Sequence, residues 1–187
     1  MSQLVGENSR DRWYPNSVIE LKDYLYSCKK LNNDLISGLV SNLAYNIQYI
    51  EYLRKTLREL NLSTVLKTQT IKSFIITSLS IIEALIIEFS DSKKDEKFKV
   101  VIEKFERMTD CPYNEIDIQS LSDLRVLRNH IHLNKAKDSS LTDYKKFWVA
   151  EYIEAKRLLH LLITSNYFES KEVEMFNFLH INKVYEK

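Results

Sequence analysis

Apolar residues recur along this chain at the spacing of a single helical face. From Asn33 onward Ile36, Val40, Leu43, Ile47, Ile50, Leu57 and Leu60 stand three, four or seven positions apart. That spacing predicts a long helix over about residues 33–60. Asn61-Leu62-Ser63 interrupts the pattern, and Ser63 suits the N-cap of a second long helix, about residues 64–90. Its stretch from Leu66 to Phe89 is apolar nearly all round, so it is expected at the centre of the fold.

Shorter elements flank this pair. Pro15 and Asn16 lead into a first helix of about Ser17 to Lys30, with Val18, Leu21 and Leu25 on one stripe. A charged connector, Asp91 to Lys97, precedes a short helix in which Phe98, Val101, Ile102 and Phe105 face inward. Asp110-Cys111-Pro112 ends it, because the residue before proline disfavours helical torsions. A further helix is expected to start near Ser120 or Ser122 and end around Leu133. After a polar loop, Asn134 to Ser140, Thr142 can cap a helix carrying Phe147, Tyr152, Ile153, Leu158, Leu159 and Leu162. A last helix is expected over about Ser170 to Ile181.

Composition agrees. Two glycines (Gly6, Gly38) and two prolines (Pro15, Pro112) are too few for the turns of a β-rich fold. At 187 residues the chain reads as one all-α domain, 1–187, with its core over about 33–165 and the helices at 17–30 and 170–181 as additions. The run Ser73 to Phe89 is shorter than a membrane span and carries Glu83 and Glu88, which predicts a buried core helix and no membrane. The formal net charge of +1 supplies no global field for DNA. Cys28 and Cys111 read as two free thiols, and Met1 to Tyr14 lacks the apolar core of a secretory signal. A cytoplasmic location is the resulting expectation.

Candidate chemistry concentrates in Leu121 to Lys135, LSDLRVLRNHIHLNK. On a helix, Leu124, Leu127 and Ile131 form a core stripe, and Leu121, Arg125, Arg128 and His132 form the stripe beside it. Asn129 sits next to that row. Guanidinium groups grip phosphate oxygens and stabilise developing negative charge. An imidazole exchanges a proton near neutral pH, as base toward a ribose hydroxyl or as acid toward a leaving oxygen. Such a set suffices for metal-independent RNA cleavage, in which the 2′-hydroxyl attacks the adjacent phosphate and leaves a 2′,3′-cyclic phosphate and a 5′-hydroxyl. A plainer reading stands beside it: cations in a last helical turn satisfy the carbonyls and dipole of the helix C-terminus.

LSDLRVLRNHIHLNK resembles the signature of the HEPN superfamily, all-α domains of prokaryotic toxins and phage-defence proteins, in which an Arg followed by a polar residue precedes a His. SLSIIEALIIEF, an apolar run interrupted by Glu83, is similar to that family's central helix. The likeness covers about Asn33 to Ser165. It implies an up-and-down helical bundle with two long antiparallel helices, a homodimer whose Arg/His faces meet at a shared cleft, and a metal-independent endoribonuclease acting on RNA. An antitoxin or nucleotidyltransferase partner protein is implied with it. The family places four to six residues between Arg and His. Arg125 has that spacing, with four residues to His130 and six to His132, but is followed by Val126; Arg128 is followed by Asn129 but has only three to His132. Arg128, Asn129 and His132, assisted by Arg125, are the favoured catalytic set, because His132 shares the face of both arginines.

Glu83 needs either a partner or a strip of solvent shared with Ser80, and the sharper expectation is an ion pair with Arg125 or Arg128. His160 and His180 read as packing histidines. No His/Glu spacing suits a metal, and neither metal nor cofactor is expected. The rival reading is a non-catalytic HEPN-type dimerisation or nucleotide-binding module, and a purely structural helical scaffold is the third.

Overall fold

In the computed structural model, which describes residues 15–93, 95–129 and 146–180, every regular element is helical. Helix α1 (Val18–Tyr26) starts where Ser17 accepts the N–H of Ile19, and it buries Leu21, Tyr24 and Leu25. It stops short of the expected Lys30. From Leu25 to Leu31 the backbone closes three-residue turns, Cys28 to Leu25 and Leu31 to Cys28, which bring Cys28 and Leu31 into the core.

The second helix also starts later than its periodicity suggests. Asn33 caps a single 3-10 turn, Asp34–Ile36, by accepting the N–H of Leu35 at 2.9 Å. A side chain bonded to its own neighbouring backbone competes with helix at that point. Helix α2 (Ser37–Glu59) follows and turns Val40, Leu43, Ala44, Ile47, Ile50 and Leu53 inward. Helix α3 (Thr64–Phe89) begins beyond a short link at residues 60–63, which leaves these two packed helices no course but an antiparallel hairpin. Ser63 occupies the N-cap of α3, although its side chain makes no capping bond.

Helix α4 (Phe98–Glu106), helix α5 (Glu115–Arg128) and helix α6 (Val149–Ile163) complete the bundle, and α3 packs against α2, α4, α5 and α6. Enclosure by four helices explains why α3 is apolar on most sides: Phe74, Ile75, Leu79, Ile82, Leu85, Ile86 and Phe89 are fully buried. At 26 residues α3 is long and apolar enough to cross a bilayer, so the shortness of Ser73 to Phe89 is no argument against a span. What the structure shows instead is burial of half its most apolar window inside the bundle.

Helix α5 departs most from expectation. It begins at Glu115, five residues before Ser120, because Asn114 and Asp117 form a capping box: each side chain accepts the other's backbone N–H, at 3.0 and 2.9 Å. Ile116, an apparent lead-in residue, is a solvent-facing position of the first turn. Asp117 is 3% exposed and forms an ion pair with Arg157 of α6 at 2.7 Å, and the Tyr113 hydroxyl donates to the Leu158 carbonyl. These contacts fix the origin of α5 on α6. Leu121 is fully buried and belongs to the core stripe with Ile118 and Leu124, so the cationic row starts only at Arg125.

Helix α6 starts at Val149, after Phe147, with the Glu151 carboxylate accepting the Trp148 N–H at 3.1 Å; Thr142 lies outside the described residues. The last described element is a 3-10 segment, Val173–Leu179, in place of the α-helix expected over about Ser170 to Ile181, of which Ile181 lies outside the described residues. It anchors through Phe176 and Leu179, and Phe176 packs edge-on against Tyr24.

Candidate functional site

The last turn of α5, the C-terminal third of α3 and the start of α4 converge on one open cleft. Its lining is Glu83 from α3, Lys97, Phe98 and Lys99 at the start of α4, and Arg125, Arg128 and Asn129 from α5, around a volume of about 490 Å³. Burial of Leu121 and Leu124 sets the rotation of α5, and the two arginines, four and seven positions beyond Leu121, fall at the edge of the buried face. Phe98 is buried beneath the cleft.

The two guanidinium groups stand in different states. Arg128 donates from Nη1 to Oε2 of Glu83, an ion pair between side chains 31% and 25% exposed. Such a partly hydrated pair adds little to stability, but it restricts where the guanidinium points. Arg125 has no ion pair among the described residues, and its Nε is buried without a hydrogen-bond partner. A buried donor left unmade costs free energy that an oxygen-rich ligand would recover.

Asn129 closes α5 as its C-cap, its backbone N–H bonding back to Val126 and Leu127 carbonyls, and it is exposed at the cleft. His130 and His132 lie outside the described residues, as does Ile131. The structure therefore brings together Glu83, Arg125, Arg128 and Asn129.

No family model, curated protein or solved structure matches this chain. The chemistry of the cleft has to be read from its own residues.

Lys97 and Lys99 are the cleft residues that reading the sequence missed. They were legible only as charged connector and short helix, yet the triplet Lys97-Phe98-Lys99 held a signal. Once Phe98 turns inward, both flanking lysines must emerge beside it. With Arg125 and Arg128 they make four cations against the single carboxylate of Glu83. Lys99 also approaches Glu103 at 3.8 Å, an exposed pairing one turn along α4. The backbone adds to the field through the positive end of the α4 dipole, where Val100 and Val101 donate to the Lys97 carbonyl and the Lys97 side chain supplies no cap for the Phe98 and Lys99 N–H groups.

Other titratable groups lie apart from this cleft. The rings of His160 and His180 meet at a tilt of 59° with centroids 4.4 Å apart, and burial together with His180 lowers the pKa of His160. Cys28 and Cys111 are free thiols, both pushed up by burial. Among the described residues no group of His, Cys, Asp and Glu is arranged to hold a metal ion.

Proposed function

We infer that this protein is a metal-independent endoribonuclease of HEPN type that acts in the cytoplasm as a homodimer, in a toxin–antitoxin or phage-defence setting. One observation carries the reading: four cations share a cleft with one carboxylate, and that carboxylate restrains Arg128 while Arg125 has no ion pair among the described residues. A cleft so charged suits a phosphodiester. The resemblance of SLSIIEALIIEF and LSDLRVLRNHIHLNK to the HEPN pattern supplies the polymer, RNA, and the proton carrier, His132.

The chemistry follows from the groups. Arg125 and Arg128 bind the non-bridging oxygens of the scissile phosphate and take up the charge that builds on them. The 2′-oxygen loses its proton to an imidazole and bonds to phosphorus. The bond from phosphorus to the 5′-oxygen breaks as that oxygen receives a proton. Two copies of His132, one from each protomer, serve these two transfers, and Asn129 at the cleft can hold a ribose or phosphate oxygen.

The test is incubation of purified protein with labelled RNA in EDTA. Cleavage that disappears in His132→Ala, with the circular dichroism unchanged, supports the nuclease. Intact RNA across diverse sequences, with the dimer still present, would mean a non-catalytic interaction module instead.

A further inference from the structure

We propose that Lys97 and Lys99 form a second phosphate subsite within the same cleft, so that the ligand is a strand carrying at least two phosphates rather than a mononucleotide. This rests on the nuclease reading and specifies its substrate. The two walls of the cleft carry different donors: α5 offers planar guanidinium forks, and the start of α4 offers two ammonium groups. One phosphate satisfies Arg125 and the free edge of Arg128. It leaves the α4 wall without an anion.

Lys97 has no ion pair among the described residues. The one contact of Lys99, to Glu103, is long and its side chain is 70% exposed, so both ammonium groups can turn to a ligand at small cost. Phe98 between them is buried and fixes the backbone from which both emerge. On the opposite wall Arg125, whose Nε has no hydrogen-bond partner among the described residues, lines the same cleft. Ammonium groups act on phosphate as point charges without reading base sequence, so this subsite sets the length of strand held and the salt dependence of binding.

The test uses a 2′-O-methyl RNA decamer, which has no 2′-hydroxyl and stays intact, with binding to the full-length protein followed by fluorescence anisotropy from low to high salt. The comparison is wild type against Lys97→Ala/Lys99→Ala, with Lys97→Glu/Lys99→Glu as a stronger variant. All four substitutions sit at exposed positions. The expected result is affinity reduced at least about tenfold at low salt, and a salt slope smaller by about 1.4, since each lost contact to single-stranded phosphate removes roughly 0.7. A dinucleotide with a single phosphate should bind both proteins equally. An unchanged slope in the lysine variants, with Arg125→Ala still weakening the decamer, overturns the subsite and leaves the nuclease reading standing. A wild-type protein that does not bind the decamer overturns both.

Discussion

The Glu83 carboxylate and the Arg128 guanidinium meet between the C-terminal third of α3 and the last turn of α5, joining the central helix to the one that carries the candidate chemistry. Glu83 is one turn from each of Leu79 and Ile87 and is the polar residue in an otherwise apolar stretch from Ile81 to Ile87, so its charge is placed with little freedom. Replacing it with Gln should cost only about 0.5–1 kcal/mol of stability, because both side chains keep contact with water. Cleavage should fall far more, by up to about a hundredfold, through misplacement of the guanidinium. The drop should appear in kcat rather than KM, with partial rescue by Glu83→Asp. A stability loss of several kcal/mol with kcat unchanged would make the pair structural.

Arg125 should show the opposite balance. Its buried Nε lacks a partner among the described residues, so Arg125→Ala removes an unsatisfied donor and should leave the urea midpoint unchanged or slightly raised. RNA cleavage should drop by about 100- to 1,000-fold, the range for loss of one donor to a developing anion. Destabilisation comparable to loss of a core leucine would show instead that Arg125 serves packing.

The seat of α5 on α6 gives a stability prediction distant from the cleft. Asp117 is almost fully buried, caps α5 and faces Arg157 at 2.7 Å. Arg157→Met leaves that carboxylate without its cation and should destabilise the fold by about 3 kcal/mol, as breaking a buried pair does. Asn114→Ala should cost about 1 kcal/mol through the lost cap. Equilibrium unfolding in urea measures both, and near-zero effects would contradict the described packing.

Titration of His160 has a defined direction. Burial first, and His180 second, lower the pKa of His160. The folded chain then binds that proton less readily than the unfolded one, whose histidine titrates near about 6.5. This contribution to stability is intact above that value and is lost as the pH falls through the depressed folded pKa. Urea midpoints at pH 7.5 and 5.5 should therefore differ less in His160→Gln than in wild type. Equal differences would contradict the assignment.

The long helices were legible in the sequence because α2 repeats apolar positions three and four apart over many turns and α3 is a long stretch apolar nearly all round, and only their ends moved. Ends depend on single side chains. Asn33 diverted three residues into a 3-10 turn, and the Asn114–Asp117 reciprocity advanced α5 by five residues past the serines that resemble caps. The arginines and Glu83 were legible as candidate residues, since charges beside apolar positions at helical spacing must emerge somewhere. Lys97 and Lys99 were not, because nothing local reveals that the start of α4 lies across from the end of α5. That neighbourhood is created by the packing of both helices on α3.

The identity of the ends on cut RNA tests the central claim most directly, because attack by the 2′-hydroxyl within an arginine-lined cleft leaves a chemical record. Mass spectrometry of products formed in EDTA should find 2′,3′-cyclic phosphate and 5′-hydroxyl ends, with both absent in Arg128→Ala. Ends bearing a 3′-hydroxyl and a 5′-phosphate, or RNA left uncut, would contradict it.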